Sequence, residues 1–450
     1  MRKALLVVGA TLSCLFAAPA PASAHHNMEV ALQDDAVFLY RGAWLGQYFS
    51  RETAFEKMRA MHGSVLRVNV IWAFAVADDQ AHLKSKPAKV EYDWAGYDSL
   101  VNLARGYGVK VQFTLTGPAP AWATPTKSVA KGYIKPNARQ FGKFTRDAAR
   151  HFRGRVSRYA IWNEPNWRTW LGPRKQAPLL YRELYRKAYK NIKRAQPKAQ
   201  ILIGELAPYK NGKASTAPLL FMRKATCVNG KYQRKKGGKC GRKPLRADGF
   251  AHHPYDFVRP PHEPHPGRDN ITMGSLGRLT KALDKLKRAG VLKPRRSKRM
   301  PVYLTEFGYF RAGERRIPEG RRAKWTRQGF EIARKNRRVK QVLQYVFVQP
   351  PGGIFFDLSI LDHTGAETPV YKALVRWSSA KKRHLKRPGR RRSGVNDENP
   401  PAPPGSGKPP PADPPPAGEP PAEPPPPEEP DCAIVVPEGF PCPLENLLTG

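Results

Sequence analysis

The chain has 450 residues, 40% of them hydrophobic, with 79 Lys and Arg against 36 Asp and Glu and a formal net charge of +43. That apolar content excludes a mainly disordered chain, and the length accommodates a (β/α)8 barrel, which takes roughly 250 residues or more. The charge attracts polyanions in general, but no aromatic-basic signature marks a nucleic-acid module, so no specific nucleic acid partner is expected.

Residues 1–24 open with Arg2-Lys3, run through Ala, Leu and Val, and close on Ala22-Ser23-Ala24. This is the pattern of a secretory signal peptide. The run is too short to span a bilayer and no later stretch is long and apolar enough, so no transmembrane segment is expected. A secreted or surface-associated protein follows. Of the five cysteines, Cys14 leaves with the signal. Cys227 with Cys240, and Cys432 with Cys442, each close a short loop in an oxidising compartment, and two disulfides are expected. Neither pair has Cys or His partners at zinc spacing, so no metal site is expected.

The first strand is either 28–32 or 37–39, and the sequence does not choose. Ser50 caps a helix with Phe55, Met58 and Met61 at helical spacing. Strands are expected at 65–71, 109–116, 159–162, 200–205, 249–252, 300–306 and 341–348. Between them lie helices at 94–105, 137–152, 178–195, 217–226, 275–289 and 321–336, and a last one at 368–380 closes the series. Strand and helix alternate about eight times, the pattern of parallel βαβ units. No Gly-rich nucleotide loop follows the first strand. The fold class expected is α/β, a (β/α)8 barrel over 25–380. Residues 381–430 are basic and then Pro-rich, an extended spacer without a core. The last segment, 431–450, is too short for a domain.

Two of the strands carry the chemistry. The run Tyr159-Ala160-Ile161-Trp162-Asn163-Glu164-Pro165-Asn166 is apolar until its tip, where a carboxylate stands and Pro165 ends the strand. The run Val302-Tyr303-Leu304-Thr305-Glu306-Phe307-Gly308 repeats the design. Parallel barrels place their chemistry at such strand ends. Two carboxylates facing each other across the mouth are what glycoside hydrolysis needs. A third tip carboxylate, Glu205, ends strand five and ranks below these two.

The Trp-Asn-Glu-Pro-Asn and Leu-Thr-Glu-Phe-Gly motifs resemble the fourth and seventh strands of the clan A glycoside hydrolases, most nearly families 39 and 5. The resemblance covers most of residues 28–380. It implies Glu164 as acid/base and Glu306 as nucleophile of a retaining mechanism without cofactor. It implies Arg67 on the nucleophile, where a cation favours a carboxylate's charged form. By the same resemblance Asn163 reaches a sugar hydroxyl, Trp72, of an Arg-then-Trp pattern, lines the substrate site with Arg67, and Trp122 stacks on a ring or else packs its loop. His253-Pro254-Tyr255 resembles the clan's His-x-Tyr, with His253 orienting Glu164 or holding a hydroxyl and Tyr255 donating to Glu306. Trp167 and Trp170 follow the acid, as outer platforms or as lid anchors. The strand-eight Trp of the family is missing, so Phe347 or Gln349 serves in its place or the floor differs.

The reading is a secreted retaining glycoside hydrolase acting on an oligo- or polysaccharide, with an anionic cell-envelope polymer as a further partner of its basic surface. The alternative is a non-catalytic glycan-binding protein on the same barrel. Sugar, linkage and oligomeric state are not written in the sequence.

Overall fold

The computed structural model describes residues 28–40, 49–235, 240–241, 243–349 and 356–383. The expected signal peptide, the Pro-rich spacer and the Cys432–Cys442 pair lie outside them. Eight parallel strands close on themselves: β1 (Glu29–Gln33), β2 (Gly63–Ile71), β3 (Lys110–Thr116), β4 (Arg158–Ile161), β5 (Gln200–Leu206), β6 (Gly249–His252), β7 (Val302–Leu304) and β8 (Val339–Tyr345). Around the ring each strand pairs with its sequence neighbours, and β8 returns to β1, so no edge is left open. The outer helices are α1 (Arg51–Ala60), α2 (Ala95–Gly106), α3 (Ala138–His151), α4 (Ala177–Ala195), α5 (Pro218–Ala225), α6 (Leu276–Arg288), α7 (Glu319–Lys335) and α8 (Pro369–Arg383). The (β/α)8 barrel expected from the sequence is therefore the fold.

Of the two candidates for the first strand, the earlier one forms β1. Residues 37–39 instead sit at a helical turn, Asp35–Phe38, whose N-cap is the Asp34 side chain. The Asp34 carboxylate also accepts from the Phe347 and Val348 amides at 3.1 and 3.0 Å, which pins the chain after β8 to the end of β1. A short parallel pair outside the barrel, Leu245–Ala247 with Leu292–Pro294, was not anticipated.

Helix and strand meet through aromatic rings. The Asn137 side chain caps α3, accepting from the Arg139 and Gln140 amides. The helix then buries Phe141, Phe144 and Ala148 on one stripe. Phe113 on β3 packs edge-on against Phe152 and Tyr159, with centroids 4.9 and 6.4 Å apart. Each such buried ring contributes about 1.5–3 kcal/mol through removal from water. Inside the barrel, small and large residues alternate: Ala160, Leu202, Ala251 and Tyr303 form one buried group, and Ala31, Val65 and Leu343 another. Below them, Arg158 donates to Glu29 at 2.7 Å and Gln341 at 2.8 Å and lies over the Tyr303 ring. This plug fills the lower barrel, so polar side chains gather at the opposite mouth. Cys227 and Cys240 are joined, with Cα atoms 5.9 Å apart, between α5 and β6.

Candidate active site

Strand parity decides what reaches the mouth. Val65 faces inward, so Arg67, two residues on, does too; Trp72 lies past the end of β2, in the helical turn Trp72–Ala75, and packs among the helix rings. Arg67 is fully buried and spans the barrel. Its guanidinium donates to Glu306 at 2.7 Å, Asn163 at 2.8 Å and Thr114 at 3.0 Å, and also to Gln33 and Glu205. A planar fork with five donors suits such a hub, and a lysine could not replace it.

The two candidate carboxylates come together. One oxygen each of Glu164 and Glu306, with a ring nitrogen of His253, all lie within 4.8 Å of one another. His253 Nδ1 is 2.9 Å from Glu164 Oε1 and 3.4 Å from Glu306 Oε2. The Tyr255 hydroxyl donates to Glu306 Oε2 at 3.0 Å. Glu306 is thus gripped at one oxygen by Arg67 and at the other by Tyr255, which holds the plane of its carboxylate. Their side chains remain 13% and 10% exposed, so both touch the space above the mouth.

Local backbone aims these groups. Trp162 and Glu164 both take positive φ, 66° and 35°, an uncommon conformation for residues with a side chain. The double kink lets neighbouring Asn163 and Glu164 both point at the mouth, which a regular strand forbids. Trp162 is anchored below by an indole N–H bond to the Trp170 carbonyl at 2.8 Å and by the edge of Phe141. Glu205 needs a similar device. The β5–β6 register slips between Gly204 and Leu206, Gly204 has φ of 120°, and Glu205 has φ of 52°. This bulge turns Glu205 inward where simple alternation would turn it out. A Cβ at Gly204 would lie 2.3 Å from the Ala251 carbonyl, so only glycine fits.

Glu205 is fully buried, ion-paired to Arg67, and 3.5 Å from His253 Nε2. It lies beneath the other carboxylates, out of reach of a sugar. Burial works to raise its pKa, but Arg67 and His253 together hold the carboxyl down at about 2. His253 feels the opposite contest. Burial disfavours its charge, yet Glu306, Glu164 and Glu205 around it push the imidazole up to about 9. Glu164 is raised above the usual carboxylate range, first by burial and also by the charge of Glu306, against the pull of His253. Two cations, Arg67 and His253, then face two carboxylates, Glu205 and Glu306, and the cluster balances when Glu164 carries a proton. Glu164, His253 and Glu306 are the one described set of donors spaced for a metal ion.

The aromatic candidates divide. Trp72 is fully buried, stacked on Phe144 and edge-on to Trp122, and cannot touch a substrate; the expected role is corrected. Trp122 is nearly buried, with its indole N–H bonded to the Gln80 carbonyl at 3.1 Å, and packs its loop. Trp170 is likewise buried. Trp167 stays half-exposed three residues beyond Glu164. Phe347 lies in the core against Phe38, Phe49 and Tyr371, so it forms no floor. The aromatic at the end of β8 is Tyr345, part-exposed and tilted 6.0 Å from Phe356. Burial raises its phenol, and the charge of Glu306 adds to this. Tyr345, Gln33 and Asp35 were missed in the sequence. Asp35 bonds Gln33 at 2.9 Å and is pushed by burial up to about 7. His252, next to His253, points outward to the Ile271 carbonyl at 2.9 Å.

No family model and no curated protein sequence matches the chain. Its structure is similar to that of a family 39 glycoside hydrolase from the gut symbiont Bacteroides cellulosilyticus WH2, with a TM-score of 0.57 and 15% identity over 79% of this chain and 64% of that one. It is similar to a glucosidase from Croceicoccus marinus, with a TM-score of 0.53 and 13% identity over 80% and 69% of the two chains. A monomeric beta-xylosidase from Caulobacter crescentus CB15 gives 0.50 and 16% over 79% and 69%. The chain spans less than two thirds of the first of these. What they share with it is the closed (β/α)8 barrel, and that fold is the one this chain adopts.

Proposed function

We propose that the protein is a retaining glycoside hydrolase. The observation that carries this reading is the approach of Glu164 and Glu306 to within 4.8 Å at the barrel mouth. Retaining enzymes hold their two carboxyl groups about 5–5.5 Å apart, whereas inverting ones leave about 6.5–9.5 Å for a water. Glu306, held by Arg67 and Tyr255, attacks the anomeric carbon as the glycosidic bond breaks. Glu164 gives its proton to the departing oxygen; His253 donates to Glu164 Oε1, which leaves Oε2 to carry that proton. In the second half, Glu164 as carboxylate takes a proton from water, the water oxygen bonds to the anomeric carbon, and Glu306 departs. Asn163, fixed by Arg67, presents its remaining donors toward a ring hydroxyl. Export belongs to the same proposal, supported by the signal-like leader and by the Cys227–Cys240 disulfide.

The test is turnover of a panel of aryl glycosides by the wild type, Glu164→Gln and Glu306→Gln. Loss of at least about 10³-fold in both variants with unchanged thermal unfolding is expected, since each removes one half of the acid–nucleophile pair. Normal turnover in Glu306→Gln, or glycan binding by the wild type without released sugar, would refute the reading.

A further inference from the structure

The loops over the mouth are electrostatically unequal. The three that follow β3, β4 and β5, residues 117–137, 162–176 and 207–217, contain eight Lys and Arg and, apart from Glu164 itself, no Asp or Glu. The loops after β6 and β7, residues 253–275 and 305–318, mix their cations with Asp256, Glu263, Asp269, Glu306 and Glu314. The surplus of the whole chain is about two cations per acid, so eight to one departs from the average.

These three loops form one continuous rim. Ile134 bridges Gly172, with the Lys135 amide bonded to the Gly172 carbonyl at 2.9 Å. Trp167 bridges Ser215, and the Arg168 amide bonds to the Ala214 carbonyl at 2.8 Å. The same rim joins the site, because the Trp167 amide bonds to the Glu164 carbonyl and the Glu164 amide to the Glu205 carbonyl. Lys127, Lys131, Lys135, Lys175, Lys210 and Lys213 on it are exposed. The wall beyond it is of another kind. Tyr255, Phe257, Phe310 and Leu358 pack there on the Glu306 side, with Tyr345, Phe356 and, at the border with the rim, Tyr209 of the loop after β5 against them.

We propose that this rim binds anionic groups on the leaving-group side of a glycan substrate. The inference rests on Glu164 being the acid: the oxygen it protonates belongs to the departing part, which therefore lies on Glu164's side, under the cationic loops. The sugar whose anomeric carbon meets Glu306 sits against the aromatic wall and is uncharged. The substrate class is an acidic glycan, carrying carboxylate, sulfate or phosphate, from which a neutral sugar is released. Like charges held together without intervening acids repel, and an anion laid across them relieves that repulsion while steering the substrate in.

The experiment compares two full-length variants with the wild type. One neutralises the rim: Lys131→Gln, Lys135→Gln, Lys210→Gln and Lys213→Gln. The other removes four cations from the far end of the barrel: Arg246→Gln, Lys293→Gln, Lys298→Gln and Lys335→Gln. Binding to polygalacturonate, heparin and neutral xylan is measured at fixed ionic strength, beside turnover of uncharged aryl glycosides. The rim variant is expected to lose about tenfold in affinity for the charged polymers, with a shallower salt dependence, from four screened contacts. The far-end variant stays within about twofold by the same reasoning. The ratio of polygalacturonate to heparin loss tells carboxylate from sulfate. Equal losses in the two variants would overturn the proposal, as would tighter rim-dependent retention of single-stranded DNA than of either glycan. Uncharged aryl glycosides should turn over alike in all three proteins. Their hydrolysis alongside equal losses would sink this inference while leaving the glycosidase reading standing.

Discussion

Replacing Arg67 by Met tests the charge balance of the site most sharply. The side chain is fully buried and donates to five partners, among them Glu205, which is itself fully buried. Met keeps much of the volume and removes the cation. Glu205 then keeps the Thr114 hydroxyl at 3.3 Å and, as its one nearby cation, His253 at 3.5 Å, and a buried carboxylate stripped of its ion-pair partner costs about 3–5 kcal/mol. For domains of 150–250 residues about 1 kcal/mol moves the melting point by about 2–4 °C, and at the lower figure, which suits this larger barrel, a fall of about 6–10 °C at pH 7 is expected. The sign with pH is fixed by linkage. Glu205 has a folded pKa of about 2, so its ion pairs stabilise the wild type above its ordinary pKa and are lost as pH falls toward 2. In the variant the carboxyl rises and takes a proton instead, so the deficit should shrink between pH 7 and pH 4. Adding Glu205→Gln to Arg67→Met should recover part of the loss. Differential scanning calorimetry across that range measures all three proteins. A deficit independent of pH, or a double variant less stable than the single by the full sum, would refute the reasoning.

Three further outcomes are expected. Tyr255→Phe deletes the 3.0 Å bond to Glu306 Oε2, and a hydrogen bond to a charged group is worth about 1.5–3 kcal/mol; kcat on aryl glycosides should fall at least tenfold while KM changes little. Between Glu205 and His253, wild-type stability should be greatest near pH 5–6. It declines below this range as Glu205 is protonated toward pH 2 and above it as His253, stabilised while charged, loses its proton through about pH 9. Thermal melts from pH 3 to pH 10 check both limbs, and a maximum above pH 8 would contradict them. Replacing Cys227 and Cys240 by Ser opens a loop 13 residues apart in sequence, worth about 2–3 kcal/mol, and should lower the melting point without changing kcat, because that bond lies between α5 and β6 on the face opposite the mouth.

Much of the fold was legible because parallel strands buried on both faces read as short apolar runs between amphipathic helices. Glu164 and Glu306 were legible because a carboxylate ending such a run has few places to be but the mouth. Glu205 could not be oriented by alternation, because a bulge at Gly204 reverses it, and bulges leave only a glycine in the sequence. The double kink at Trp162 and Glu164 is equally silent. Whether Phe347 forms a floor could not be read without the end of β8: the strand stops at Tyr345, and two residues further on the ring is already in the core. The pull of Arg67 on five partners from β1, β3, β4, β5 and the loop after β7 is a tertiary fact that no local pattern encodes.

The direct measurement of the central claim is the mass of a trapped intermediate. The enzyme is incubated with 2,4-dinitrophenyl 2-deoxy-2-fluoro glycosides of gluco, xylo and manno configuration, digested, and its peptides sequenced by mass spectrometry. The account predicts a single fluoroglycosyl adduct on Glu306, formed with release of one dinitrophenolate per chain and missing from Glu306→Gln. An adduct on Glu164 or Glu205, or hydrolysis of natural linkages with inversion and no adduct from any of the three, would contradict it.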